Sequence, residues 1–251
     1  MASLWLTGGR TLNIGHRGAS RAAPQNTLAA FRKAAELGAD GVELDVHLSA
    51  DGVPVVIHDF VVDHTTDGTG AVADRPLAAL KELDAGGWFD PAYAGERIPT
   101  LAEVMEAVGD TLLLNIELKV AGRSDGRLAA AVVGLVTRFN LAGRVLLSSF
   151  EPTALLDVRR LAPHLPLGFL YDPLPSSWPT RLRARGLHPQ ALHPHHTLAR
   201  PALIRRAHKR GQRVVTWTVD EPAAMARLIV AGIDAIITNY PDRLRLVLEG
   251  K

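Results

Sequence analysis

Two alternating patterns of apolar residues run along the chain. Short runs rich in leucine and β-branched residues are typical of buried strands, and the stretches between them repeat apolar residues at helical spacing. The short runs predict strands at 11–16, 41–48, 53–58, 111–120, 144–148, 165–170, 191–193, 213–219 and 233–238. The intervening stretches predict helices at 27–37, 101–108, 126–139, 153–161, 177–185, 201–209, 222–230 and 241–248. Thr100 followed by Glu103 predicts a capping box, and Pro201, Pro222 and Pro241 suit first-turn positions.

Strand and helix alternate about eight times, which favours a parallel α/β fold. A TIM (β/α)8 barrel closes with eight such units in about 250 residues, and the chain has 251. An open doubly wound sheet is the alternative, but its phosphate signature G-x-G-x-x-G does not follow the first predicted strand. We therefore expect a single TIM-barrel domain over residues 1–251.

The segment 60–99 breaks this rhythm. It has no sustained period, and it carries turn residues at Asp67–Gly70 and Gly86–Gly87. So long a stretch is uncommon inside a compact domain and calls for an explanation. We expect it to be an insertion after the second β segment that caps the catalytic end of the barrel.

The composition excludes several kinds of chemistry. The chain has no cysteine, which removes disulfides, thiol nucleophiles and cysteine-ligated zinc. Its formal net charge is +2 without long blocks of like charge, so the sequence implies neither nucleic acid nor an anionic membrane as a partner. The apolar stretch near the amino terminus is too short for a signal peptide, and no apolar run is long enough to cross a membrane. We expect a soluble, cytoplasmic protein.

Polar residues alternate with apolar ones in the predicted strand 41–48. Side chains alternate between the two faces of a strand, so Glu43, Asp45 and His47 share one face while the apolar face packs under helices. In a barrel the polar face points inward, where unpaired carboxylates are costly and a bound cation is the simplest compensation. The alternatives are an edge strand with a solvated polar face, or carboxylates paired with arginines.

The predicted strand 111–120 repeats this pattern. Asn115, Glu117 and Lys119 share its polar face, and the last two project from its carboxyl end, where barrel enzymes carry their active sites. With Glu43 and Asp45, Glu117 completes an oxygen-rich set without a soft ligand. Such a set prefers Mg²⁺ or Ca²⁺ over zinc.

Two histidines stand at the ends of predicted strands, His16 after the first and His58 after the third. Either histidine alone is more typical of a structural or surface residue. On the same rim as the carboxylates, however, two imidazoles can act as general acid and general base. Arg17 offers a fork of donors to an anionic group, and Trp217 either walls a pocket or belongs to the core.

These residues stand in motifs that resemble those of the bacterial glycerophosphodiester phosphodiesterase family. The motifs occur in the family's order and cover nearly the whole chain. Each is weak alone, and together they are highly specific. They are His16–Gly18, Pro24–Thr27, Asp40–Val46, Pro54–Asp59, Thr65–Gly70, Ile98–Leu101, Ile116–Lys119, Trp217–Val219 and Thr238–Pro241.

The resemblance implies a TIM barrel that hydrolyses glycerophosphodiesters, such as glycerophosphocholine or glycerophosphoethanolamine, to an alcohol and glycerol 3-phosphate. It implies a divalent metal, Mg²⁺ or Ca²⁺, as cofactor, and a small-molecule substrate of lipid and glycerol metabolism without stable membrane insertion. It assigns roles by motif: metal ligands Glu43, Asp45 and Glu117; acid and base His16 and His58; phosphate contacts Arg17 and Lys119; and Trp217 on the glycerol side.

Four positions depart from the family's pattern without removing a residue of the implied site. Gln25 stands where Glu is usual and His64 where Arg is common. Asp220 stands where Asn is usual, and Asn239 where an acidic residue is frequent. Gln25 keeps the size and hydrogen bonding of glutamate but loses its charge.

Three other functions are compatible with parts of the sequence. Lysophospholipase D or phospholipase C-like activity on lipids would need an apolar entrance, for which Trp88, Phe89 and Tyr93 are candidates. A glycosidase would use Glu43 and Glu117 as paired carboxylates and need no metal. A non-enzymatic binding module would be expected to lack a catalytic group, and none is lacking.

Overall fold

The computed structural model describes residues 3–173 and 186–250. Within these ranges eight parallel strands pair side by side and close into a barrel, which confirms the TIM-barrel prediction. The barrel strands are β1 (Leu12–His16), β2 (Gly41–Leu48), β4 (Leu113–Leu118), β5 (Val145–Ser149), β6 (Leu167–Tyr171), β7 (Ala191–Pro194), β8 (Arg213–Thr216) and β9 (Ala235–Thr238). The ninth strand, β3 (Pro54–Val56), pairs antiparallel with the end of β2 and is not part of the ring.

The helices begin close to their predicted starts, except for one short helix in the segment 60–99, where the sequence predicts none. They are α1 (Leu28–Glu36), α2 (Leu77–Lys81), α3 (Leu101–Val108), α4 (Arg127–Arg138), α5 (Pro152–Leu161), α6 (Pro201–His208), α7 (Pro222–Val230) and α8 (Pro241–Leu248). The capping box of α3 is present, because Thr100 Oγ1 accepts from the Glu103 N–H while the Glu103 carboxylate accepts from the Thr100 N–H. The predicted helix 177–185 lies outside the described residues. Across the described ranges, every helix is too short or too polar to cross a membrane.

Three predicted strands extend past the observed ones at their carboxyl ends. The run 53–58 is predicted as one strand, but regular pairing covers only β3, and the chain beyond it continues antiparallel along β2 through a hydrogen bond from Ile57 N to Asp45 O (3.1 Å). The run 111–120 ends as β4 at Leu118. The run 213–219 ends as β8 at Thr216, although Trp217 still forms an isolated bridge with His195. At all three places the backbone leaves the ladder to form the loops of the barrel rim.

The hydrophobic residues of the barrel divide into an outer and an inner set. On the outer face, Val42, Leu44 and Val46 are fully buried and pack in one cluster with residues of the surrounding helices, as the alternation predicts. The inner set packs with Trp5, whose indole N–H donates to Arg144 O (2.9 Å) beside the start of β5. Its buried members are Ile14, Leu113, Leu146, Ala191, Val215, Ala235 and Ile237. The amino-terminal part of the barrel interior is therefore a packed apolar core.

A layer of buried polar side chains lies inside the barrel, on the carboxyl side of this apolar core. Asn115, Ser148 and His193 are each 0% exposed, and their polar side-chain atoms have no hydrogen-bond partner among the described residues. Space for the His193 ring comes from Gly168 on the neighbouring strand, where a Cβ would lie 2.4 Å from Nε2. Buried polar groups of this kind are normally satisfied by ordered water.

We expect His193 to make folding less favourable as the pH falls. Burial lowers the pKa of this imidazole from 6.5 to about 3. Below pH 6.5 the unfolded chain takes up a proton that the folded chain does not. The free energy of unfolding should therefore fall as the pH falls, with a slope from this group that approaches about 1.4 kcal/mol per pH unit well below the unfolded pKa. Urea denaturation of the wild type and His193→Gln between about pH 7 and 5 measures the two slopes.

His164→Gln, at an exposed position of the same chain, is the control for losing a histidine as such. The prediction would be contradicted if the free energy of unfolding had the same pH dependence in the wild type and in His193→Gln.

The segment 60–99 packs against the carboxyl end of β2 and β3 and holds α2 with two short 3₁₀ turns, Val72–Asp74 and Pro91–Tyr93. Its core includes Val62, Val72, Leu80 and Ile98, together with Val55 and Ile57 from β3 and its end. Its other contacts reach the barrel rim. Phe60 packs edge-on against the His47 ring with centroids 4.8 Å apart, and the Tyr93 hydroxyl donates to Ala22 O (2.9 Å). These contacts support the prediction of a cap, which stays a prediction.

Candidate active site

The structure brings all eight residues predicted for the site to one cavity of about 130 Å³. The cavity lies inside the ring at the carboxyl ends of the strands, the rim where TIM barrels carry their active sites. Its predicted members are His16, Arg17, Glu43, Asp45, His58, Glu117, Lys119 and Trp217.

Strand register explains why the three carboxylates meet. β2 lies between β1 and β4, with His16 opposite Glu43 on one side and Asp45 opposite Glu117 on the other. One oxygen of each carboxylate lies within 4.8 Å of an oxygen of the others, and all three residues are buried. The alternative of a solvated edge strand is therefore wrong. The alternative of arginine pairing is partly right, because Arg17 Nε lies 3.3 Å from Asp45 Oδ2.

The three carboxylates differ in their electrostatic surroundings. Burial alone would raise the pKa of Asp45, but Lys119 at 3.4 Å and Arg17 at 3.3 Å overcome it and hold that pKa below its usual value. Burial raises the pKa of Glu117 to about 7, although Lys119 at 2.9 Å opposes the shift. For Glu43, burial and then the charges of Asp45 and Glu117 raise the pKa well above 4.5.

The unequal compensation of charge among the three carboxylates tests whether a divalent metal fits the site. Arg17 and Lys119 neutralise Asp45, but Glu43 and Glu117 are held in a buried place where their ionised forms are unfavourable. All the donors are hard oxygens on carboxylates that converge, which is what Mg²⁺ and Ca²⁺ prefer. Within the described residues, no other group of acidic or histidine side chains converges in this way. The residues therefore fit a divalent cation.

His16 presents one ring nitrogen to the cavity in its proton-accepting form. Burial and the charge of Arg17 lower the pKa of His16 to about 4, so the ring is neutral at pH 7. Its Nδ1 lies 2.7 Å from Asn239 Oδ1. Asn239 is held in this orientation because its Nδ2 donates to Asp220 Oδ2 (2.7 Å), so Nδ1 of His16 carries the proton. Nε2 is left as an acceptor, 3.9 Å from Glu43 Oε2.

His58 is held in a similar way by a carboxylate. Its Nδ1 lies 2.6 Å from Asp59 Oδ1, and the other oxygen of Asp59 lies 2.7 Å from His64 Nδ1. Burial lowers the pKa of His58, while Asp45 and Asp59 oppose the shift. Because Nδ1 is taken by Asp59, Nε2 is the ring nitrogen left for the cavity that His58 lines.

Arg17 is fixed by three contacts around a left-handed backbone turn with φ of 53°. Its guanidinium donates to Gln25 Oε1 (2.8 Å) and lies beside Asp45, and its backbone N–H donates to Glu43 Oε2 (3.1 Å). Gln25 thus makes the positioning contact that a glutamate would make, but without a negative charge. No carboxylate at position 25 therefore offsets the attraction of Arg17 for an anionic ligand.

Several residues of the site were given no role from the sequence. Asn26 donates from Nδ2 to Asp45 Oδ2 (2.9 Å), and Asn239 orients His16. Both asparagines lie within motifs that resemble those of the family, so the motifs could have identified them as site residues. The remaining lining residues come from the inner faces or ends of four strands: Asn115, Phe150, Leu170 and Ile237. Of these, the alternation of polar and apolar residues along the strand pointed only to Asn115.

Comparison with known proteins agrees with this geometry. Residues 16–243 match the model of the glycerophosphoryl diester phosphodiesterase family. A glycerophosphodiester phosphodiesterase of Caldanaerobacter subterraneus subsp. tengcongensis is 45% identical over 244 residues, covering 96% of this chain and 99% of that protein.

Solved structures give the same result. A phosphodiesterase of Oleispira antarctica, in complex with the product sn-glycerol-3-phosphate, superposes with a TM-score of 0.87 at 34% identity, covering 96% of this chain and 97% of that one. A glycerophosphodiester phosphodiesterase of Agrobacterium tumefaciens superposes with a TM-score of 0.80 at 31% identity, covering 93% of this chain and 98% of that one.

Proposed function

The chain belongs to the glycerophosphoryl diester phosphodiesterase family, and we propose that its cavity hydrolyses glycerophosphodiesters to an alcohol and glycerol 3-phosphate. Glycerophosphocholine and glycerophosphoethanolamine are the expected substrates. Family membership leaves no basis for the glycosidase and binding-module alternatives. The observation that carries the proposal is a pair of oriented histidines at a cavity that also holds three convergent carboxylates and two cationic side chains.

The cationic side chains suit a phosphodiester. Arg17 presents a guanidinium fixed by Gln25, and Lys119, just beyond β4, is held by Glu117 of that strand and by Asp45 of the neighbouring strand β2. Burial alone would lower the pKa of Lys119, but these carboxylates raise it, so the ammonium stays charged. A divalent cation on Glu43, Asp45 and Glu117 would add Lewis-acid stabilisation of the negative charge on the phosphoryl oxygens. Trp217 lines the glycerol side.

The two histidines divide the proton transfers. His16 accepts the proton of the glycerol 2-hydroxyl through its free Nε2 as that oxygen attacks phosphorus and forms a cyclic phosphate. The bond to the alcohol breaks, and His58 donates a proton to the leaving oxygen; an anionic phosphate beside His58 favours its protonated form. Water then opens the ring with the two histidines in reversed roles, which yields glycerol 3-phosphate. The attacking hydroxyl belongs to the substrate, which lowers the entropic part of the barrier.

The direct test is release of glycerol 3-phosphate from glycerophosphocholine. We expect release to stop after treatment with EDTA and to return when Mg²⁺ or Ca²⁺ is restored, because Glu43 and Glu117 need a cation to hold their ionised forms together. Titration of each metal separately identifies the one that supports turnover. Undiminished release in EDTA would contradict the metal site, and no release with either metal would contradict the proposed substrate class.

A second candidate function is lysophospholipase D or phospholipase C-like cleavage of lipids. It is favoured by one observation: Trp88, Phe89 and Tyr93 form a row of edge-on aromatic pairs with centroids 5.8 Å apart in 60–99. Trp88 is 45% exposed. Comparing long-chain with deacylated substrates separates the two functions, since a lipid-cleaving enzyme would turn over the acylated form faster.

A further inference from the structure

A second cavity of about 350 Å³ adjoins the catalytic one. The two cavities share three wall residues, Glu117, Lys119 and Phe150. The other lining residues of the second cavity include Phe60, which is 47% exposed, and Glu151. A molecule that holds its phosphate at Lys119 can therefore extend from the first cavity into the second.

The second cavity offers more room than the catalytic one, about 350 Å³ against about 130 Å³. The catalytic cavity already holds the charged and hydrogen-bonding groups that suit the glycerol and phosphate parts of the substrate. Because the two cavities share Lys119 in their walls, the second cavity is where the structure offers room for the esterified alcohol.

The second cavity also lies on the side of the proposed acid. Phe60 follows His58 by two residues, and both are tied to His47. The His47 Nε2 lies 3.1 Å from His58 O, and the His47 ring packs edge-on against Phe60 with centroids 4.8 Å apart. The departing alcohol must receive its proton from the residue beside it. A subsite walled by Phe60 therefore matches the group that His58 releases.

The wall chemistry indicates which alcohols are preferred. The rings of Phe60 and Phe150 offer no hydrogen bonds to a polyol, but aromatic rings attract an alkylammonium cation. Glu151 adds a carboxylate, whose Oε1 accepts from the Thr153 hydroxyl (3.1 Å). Lys119, which lines the subsite, is paired with Glu117 at 2.9 Å and Asp45 at 3.4 Å, which limits its repulsion of a second cation.

We propose that the second cavity is the subsite of the leaving alcohol and that Phe60 and Phe150 select alcohols bearing an alkylammonium group, as choline and ethanolamine do. The proposal rests on the phosphodiesterase function proposed above. It adds a preference that the reaction itself does not require.

The test compares two substrates of nearly equal size and different charge. They are glycerophosphocholine and its uncharged isostere, the glycerophosphodiester of 3,3-dimethylbutanol. The wild type should have the higher kcat/KM for the charged substrate. In Phe60→Leu, which keeps an apolar side chain but loses the ring, the ratio of the two kcat/KM values should fall about fivefold.

Phe139→Leu is the matched control, because it makes the same change of a ring to leucine at a partly buried position that lines neither cavity. It should keep the wild-type ratio. A ratio in Phe60→Leu within about twofold of the wild type would overturn the proposal, because ring loss would then not affect charge selection. A wild type that hydrolyses both substrates at the same kcat/KM would overturn it while leaving the phosphodiesterase function intact. A wild type that hydrolyses neither would overturn both.

Discussion

Replacing either His16 or His58 by alanine should lower kcat about 10²–10⁴-fold. His16 is expected to act through Nε2, because Nδ1 is committed to Asn239 at 2.7 Å. His58 is committed to Asp59 in the same way, at 2.6 Å. Alanine removes the proton-transfer group but leaves the carboxylates, Arg17 and Lys119 in place, so KM should change much less than kcat. Steady-state kinetics of glycerol 3-phosphate release with saturating metal measures both.

His164→Ala provides the control at an exposed position outside the cavity, and its kinetics should match those of the wild type. Circular dichroism and thermal unfolding establish that each variant is folded. Near-wild-type kcat in both His16→Ala and His58→Ala would rule out the proposed acid–base pair, whereas a loss in only one would leave a single-histidine mechanism.

Glu43→Gln should have opposite effects on activity and on stability. The amide keeps an oxygen to accept the Arg17 N–H, which is 3.1 Å from Oε2, but it loses one metal-binding charge. Loss of several kcal/mol of transition-state stabilisation lowers kcat about 10²–10³-fold. In EDTA the same change removes a carboxylate whose ionised form is disfavoured by burial, Asp45 and Glu117. The metal-free variant should therefore be more stable than the metal-free wild type by about 1–3 kcal/mol.

Urea denaturation in EDTA and again with metal separates these effects. The wild type should gain stability on adding metal, and the gain should be much smaller in Glu43→Gln. Glu106→Gln, at an exposed position of α3, is the matched control and should alter neither quantity. A metal-free Glu43→Gln that is less stable than the wild type would show that the carboxylate is compensated without a cation.

Alternation along β2 and β4 made the carboxylate cluster predictable. With a period of two, the inner face of each barrel strand can be read directly from the sequence, and a parallel register brings neighbouring inner faces together. His58 was a different case. It was placed correctly at a strand end, but that strand is antiparallel to β2, and His58 reaches the cavity because the chain returns past Asp45 at Ile57. That return depends on the packing of 60–99, which has no periodic signal.

Contacts between distant loops were beyond sequence reasoning. Asn239 and Asp220 follow β9 and β8, and their pairing depends on the three-dimensional position of two loop residues, not on spacing. Phe150 is similar, since it follows β5 and meets Trp217 edge-on with ring centroids 5.4 Å apart. The sequence identified the residues whose side chains would carry out the chemistry. The residues that orient them are identifiable only in the folded chain.

The hydrogen-bonded pair of Asp220 and Asn239 links two departures from the family's pattern. The resemblance to the family implies Asn at the first position and often an acidic residue at the second, so relative to that pattern the acid and the amide have changed places in this chain. Asp220 accepts from Asn239 through both the backbone N–H (2.9 Å) and Nδ2 (2.7 Å). Changing Asn239 alone to Asp would put two carboxylates in contact, and changing Asp220 alone to Asn would leave no acid in the pair. The position that carries the amide therefore decides whether Nδ1 of His16 faces a neutral or a negatively charged acceptor.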